Sequence, residues 1–187
     1  SGTLSNVNSA FSADLKLLST ETASGASSLS FTSGIDSTYD VYIFKFIDYN
    51  PATDNTHLTF QCSTDGGSNY NTTLTTTVFY ARHYESDASV LQYDTGDDQA
   101  QGTSYQKVTL GVGNESDASG SGEIYLFAPS STTYVKHFYA TSNLLYALDA
   151  STNYFTAGYF NTTSAINAIS FKPVTGNFDG TIKMYGL

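Results

Sequence analysis

The sequence predicts an all-β chain folded as an antiparallel β-sandwich, jelly-roll-like, with about eleven strands. Three observations predict it. Short apolar or alternating runs rich in β-branched and aromatic residues recur along the 187 residues, and such runs suit a pleated, half-buried surface. Ser, Thr, Asn, Asp and Gly separate the runs, as turn formers do. A helical period is sustained almost nowhere. The best candidate is residues 143–150, a single short turn-like segment. Many short strands without helices point to two stacked sheets, with a jelly roll preferred over an immunoglobulin-like form.

Taken in order, strands are expected over residues 14–20, 28–33, 40–48, 56–63 and 73–84, then over 105–112, 122–127, 133–141, 154–160, 166–172 and 181–185. The third run is the most informative. Val41, Ile43 and Ile47 fall on one face, interrupted by Lys45, while Tyr42, Phe44 and Phe46 fall on the other. Apolar residues on both faces imply a central strand covered twice, or a face used against a partner chain. In the last run Ile182 and Met184 point inward, and Thr181, Lys183 and Tyr185 outward. Residues 1–12, rich in Ser and Asn, are expected to form an N-terminal arm. Residues 13–187 are expected to form a single sandwich domain.

Composition removes several function classes. Seventeen acids against seven Lys and Arg give a net charge of −10, with only 13% charged residues. Nucleic-acid binding needs clustered cations to neutralise phosphates, so it is not expected. Membrane insertion by a helix is not expected either, because no apolar run reaches about 18 residues. The single cysteine, Cys62, shares a face with Leu58 and Phe60 and reads as a buried small hydrophobe. Packing and hydrogen bonding must therefore hold the fold without a disulfide inside the chain.

Candidate chemistry is sparse. Residues 63–70 read Ser-Thr-Asp-Gly-Gly-Ser-Asn-Tyr. They resemble the Asp-box of sialidases, with Ser63, Asp65 and Gly67 in place. In that family the box is a structural hairpin turn, where Asp caps its own turn and Gly takes a positive φ. The box occurs once here, and Arg82 is the chain's lone arginine, so only the turn is expected. Asp94, Asp97 and Asp98 lie in an acidic loop spanning 85–98. They are a weak calcium candidate, since hard cations take clustered carboxylates. His57, His83 and His137 sit on three separate runs without zinc-ligand spacing. No nucleophile elbow or phosphate-binding glycine pattern occurs. No cofactor and no catalytic residue are expected.

The 15 tyrosines are the remaining feature. Some must fill the core, and others suit protein contact or sugar stacking. Loops bearing Tyr84, Tyr93, Tyr146 and Tyr154 are the candidate binding residues for a host surface glycan. The absence of Trp favours contact with other copies of the chain.

Four stretches, 31–40, 60–70, 129–138 and 158–187, resemble virion structural proteins of marine tailed bacteriophages. The first reads Phe-Thr-Ser-Gly-Ile-Asp-Ser-Thr-Tyr-Asp and the third Pro-Ser-Ser-Thr-Thr-Tyr-Val-Lys-His-Phe. The resemblance implies a virion location and a non-enzymatic role, as outer-capsid decoration or as a fibre or knob component. It implies partners among other virion proteins and copies of the same chain, with a trimer as the expected form. The alternative is a receptor- or glycan-binding domain of a tail fibre.

Overall fold

The computed structural model describes residues 15–187. The expected arm over residues 1–12 lies outside the described residues. Twelve strands and no helix occur among the described residues. They are β1 (Lys16–Ala26), β2 (Leu29–Phe31), β3 (Val41–Pro51), β4 (Leu58–Ser63), β5 (Leu74–Tyr84) and β6 (Ser89–Tyr93). The second half holds β7 (Gln106–Lys107), β8 (Gly120–Phe127), β9 (Lys136–Tyr146), β10 (Ala150–Phe160), β11 (Ala168–Pro173) and β12 (Phe178–Gly186).

The strands form two antiparallel sheets. The larger has eight strands in the order β1-β12-β3-β8-β9-β10-β5-β6, and the smaller has four in the order β2-β11-β4-β7. Aromatic rings from both sheets meet between them. Phe60 packs edge-on against Phe138 at 5.1 Å and Phe160 at 6.1 Å, and Phe31 and Phe171 close on Phe44. Such pairs add favourable geometry to the burial of large apolar area.

Alternation decides which side chains enter this core. Tyr42, Phe44 and Phe46 face inward from β3. A bulge follows between Phe46 and Tyr49, where Asp48 takes a φ of 54° and its N–H donates to Ser121 Oγ. The extra residue reverses the parity, so Tyr49 enters the core where strict alternation would have placed Asp48. On β8, Gly122 leaves room for Phe46, whose Cζ lies 2.6 Å from where a Cβ would stand.

Three expectations change. The strand expected over 105–112 shrinks to the two residues of β7, with an isolated bridge at Val112, where Thr109 turns to meet Leu58. The turn-like segment at 143–150 is instead the end of β9, a tight hairpin, and the start of β10. Asn143, Leu144 and Leu145 alternate between faces there, and pairing along both strands overrides their weak helical preference. The acidic loop at 85–98 contains a strand as well. Residues 89–93 pair with β5, Phe79 opposite Tyr93 and Ala81 opposite Leu91.

Candidate functional site

The expected site residues do not share one surface. Tyr84 and Tyr146 gather round Arg82, whose guanidinium lies 3.9 Å from the Tyr146 ring centre and 4.7 Å from that of Tyr80. Its Nη1 also donates to Tyr84 Oη at 2.7 Å. The rings stand where cation–π geometry favours them, while the buried Arg82 Nε has no hydrogen-bond partner. Tyr154 is wholly buried instead, stacked under Tyr80, with its hydroxyl donating to Asp97 Oδ2 at 2.7 Å. It is therefore no surface ring, because β10 alternation turns it into the core. Tyr93 lies on the opposite, outer face of the large sheet beside Phe79, and donates to Asp98 Oδ2 at 2.6 Å.

The calcium candidate also comes apart. Asp97 is buried and bonded to Lys107 and Tyr154. Asp98 accepts from Tyr93, and Asp94 Oδ1 caps its own turn by accepting from the Gly96 N–H at 3.0 Å. Among the described residues no three His, Cys, Asp or Glu side chains gather to hold a metal ion. The turn aims successive acids in different directions, so nearness in sequence does not make a cluster.

Around Asp97 the core holds a closed polar network. His57 Nδ1 lies 2.8 Å from the Thr109 carbonyl and 3.8 Å from Asp97 Oδ2. Burial holds the His57 imidazole below its usual pKa, against the raising effect of Asp97. The ring is therefore neutral, with Nδ1–H donating to Thr109. Burial, aided by Asp97, pushes the Tyr154 hydroxyl well up. Cys62 is fully buried and its thiol is likewise raised, which keeps it inert. The Ser63–Asp65 turn forms as expected. Ser63 Oγ donates to Asp65 and accepts from the Gly67 N–H, with Gly66 and Gly67 at φ of 73° and 89°. Bonds from Ser63 and Asn69 hold the Asp65 carboxyl down at about 2.

The feature that the sequence left undivided is the outer face of the large sheet. Pairing aligns Tyr185, Ile43, Tyr125, Tyr139, Ala157 and Thr77 across six adjacent strands. Tyr125 and Tyr139 stack at 4.7 Å, and Phe127 lies against Tyr139 at 5.7 Å. One row along, Phe79 and Phe155 stack at 4.7 Å. Beside Tyr139 and Phe127 lies an open trough of about 450 Å³, floored by Ala157 and Gly158 and bounded by Thr75, Thr77, His137 and Tyr159. Tyr139 is 44% exposed and Phe79 42%. The central rows carry Lys45 and Lys183 against Glu123, which pairs with Lys45 at 3.3 Å. Tyr125 and Tyr139 fall within two of the expected strands, but no face was assigned to them from the sequence. Phe79, Phe127 and Phe155 were not singled out, because only strand order places them beside one another.

Comparison with family models, with curated proteins and with solved structures finds no match to this chain.

Proposed function

We propose that the chain is a non-enzymatic structural component of a bacteriophage particle, as outer-capsid decoration or as part of a fibre or knob, and that it assembles through its sheet face. The observation that carries this reading is the aromatic, nearly uncharged outer face of the eight-stranded sheet on a chain of net charge −10. Contiguous apolar surface of that kind marks an interaction site. Like charge keeps the rest of the free chain soluble. The resemblance to virion structural proteins supports the location. A jelly-roll-like arrangement of the two sheets and a homo-oligomeric state belong to the same reading.

Mass spectrometry of purified particles, combined with gold labelling of this chain, tests it. The expected result is many copies per particle at one repeated position. Absence from particles whose other components are recovered overturns it. One observation favours the alternative, a receptor- or glycan-binding domain of a tail fibre: the open trough beside Tyr139, where a sugar ring has an aromatic wall to stack on. Loss of adsorption in Tyr159→Ala particles that assemble normally would favour it.

A further inference from the structure

We propose that the outer face of the large sheet is the interface of a two-fold symmetric pair, occupied by a second copy of this chain. This rests on the reading that the chain assembles through that face, and it names the partner and the geometry.

The face is complementary to itself. Place a two-fold axis in the interface, parallel to the strands and between β9 and β10. Each strand then faces the one equally far across the axis. Tyr139 falls opposite the partner's Ala157, and Tyr125 opposite the partner's Thr77, because all four occupy one paired row. In the next row, Phe155 falls opposite the partner's Thr141. At these three places a large ring meets a small residue, as interdigitating sheets require, while the same register sets Phe79 opposite the partner's Glu123 and Tyr159 opposite the partner's His137. The ridge of stacked Tyr125 and Tyr139 in one copy enters the trough over Ala157 in the other. The two tight centres lie beside the axis, where the roughly 30° rotation between packed sheets displaces them least.

Charge and size point to the same occupant. A chain of net charge −10 repels its own copies over most of its surface. In the overlapping rows Lys45 pairs with Glu123, so this face is nearly free of that repulsion. The overlap covers six strands, β3-β8-β9-β10-β5-β6. At about 4.8 Å per strand and about 3.3 Å per residue over roughly nine residues, each copy contributes roughly 850 Å², against about 800 Å² per partner in a standard stable interface.

Sedimentation velocity of the full chain at micromolar concentration tests the pair. The expected result is two copies, with Tyr139→Arg and Ala157→Arg each raising the dissociation constant by about 100-fold or more. Tyr139→Ser, which keeps a strand-compatible residue, should act in the same direction if the arginine variants fold poorly. A chain carrying both Thr77→Cys and Tyr125→Cys should be linked between copies by a short bis-maleimide, since Cys62 is buried and inert. Several outcomes overturn the proposal: a monomer at high concentration, a three-copy species, or a pair indifferent to all these changes. A monomer that needs Tyr139 to bind host polysaccharide overturns it too, in favour of a sugar. The two readings fail separately. A monomer that is nevertheless found in particles removes the pair alone. A pair that is absent from particles removes the virion role alone.

Discussion

The outer faces of the two sheets are covered differently. On the small sheet, the outward residues of β4 are sealed by a loop and by the neighbouring strand β11. Gln61 donates to the carbonyls of Thr103 and Ser104, Thr59 donates to the Lys172 carbonyl, and the Tyr105 ring lies 4.1 Å from the Lys172 ammonium. Every residue of β4 is buried as a result. On the large sheet, no comparable loop among the described residues crosses the middle, and stacked rings stand in its place. The chain therefore closes one side with its own hydrogen bonds and leaves the other as apolar ridges. Polar outward residues can be satisfied by neighbouring backbone, whereas aromatic ones are satisfied only by further apolar surface.

Substitutions can sharpen this contrast between covered and uncovered surfaces. The largest effect is expected inside. Phe60→Ala removes a ring packed against both Phe138 and Phe160, and urea unfolding should show a loss of about 3–5 kcal/mol. Next is Asp97→Ala, which deprives Lys107 and the buried Tyr154 hydroxyl of their acceptor. Lys107 keeps some solvent contact, so the loss should be about 2–3 kcal/mol rather than more.

His57 adds a pH dependence of definite sign. Its pKa is lower folded than unfolded, so the unfolded chain binds the extra proton as pH falls. The contribution is complete above the unfolded value near 6.5 and is lost as pH drops below it towards the folded value. Denaturation midpoints measured across that range should fall with acidity, and His57→Gln should flatten the slope. A slope of the opposite sign would break the assignment of a neutral ring.

On the uncovered face, Tyr139→Ala should cost the separated chain only about 1 kcal/mol, the worth of its stacking on Tyr125 and Phe127. A loss close to that of Phe60→Ala would erase the contrast. The smallest effect is local. The Asp65 carboxyl should titrate at about 2 by NMR, and in Ser63→Ala its titration should move upward while the global fold stays unchanged.

Much of the fold was legible in the residues themselves. The strand-forming runs located ten of the eleven expected strands, because alternation registers burial directly, while the run over 105–112 shrank to the two residues of β7. It placed Cys62 with Leu58 and Phe60, and the Ser63–Gly67 turn followed from local hydrogen bonding. Residues 89–93 were hidden, since an exposed edge strand carries little apolar signal. Tyr154 was misplaced because a tyrosine looks the same in sequence whether its hydroxyl meets water or Asp97.

The sequence by itself determined that this chain is a stack of antiparallel strands, aromatic, acidic and without a disulfide of its own. Those properties reside in local alternation and composition. Only the tertiary structure decided which rings stand together outside, that Asp97 turns inward while Asp94 and Asp98 do not, and that Ala157 floors a trough beside Tyr139. Strand order brings together residues far apart in the chain, and no short-range pattern encodes that order.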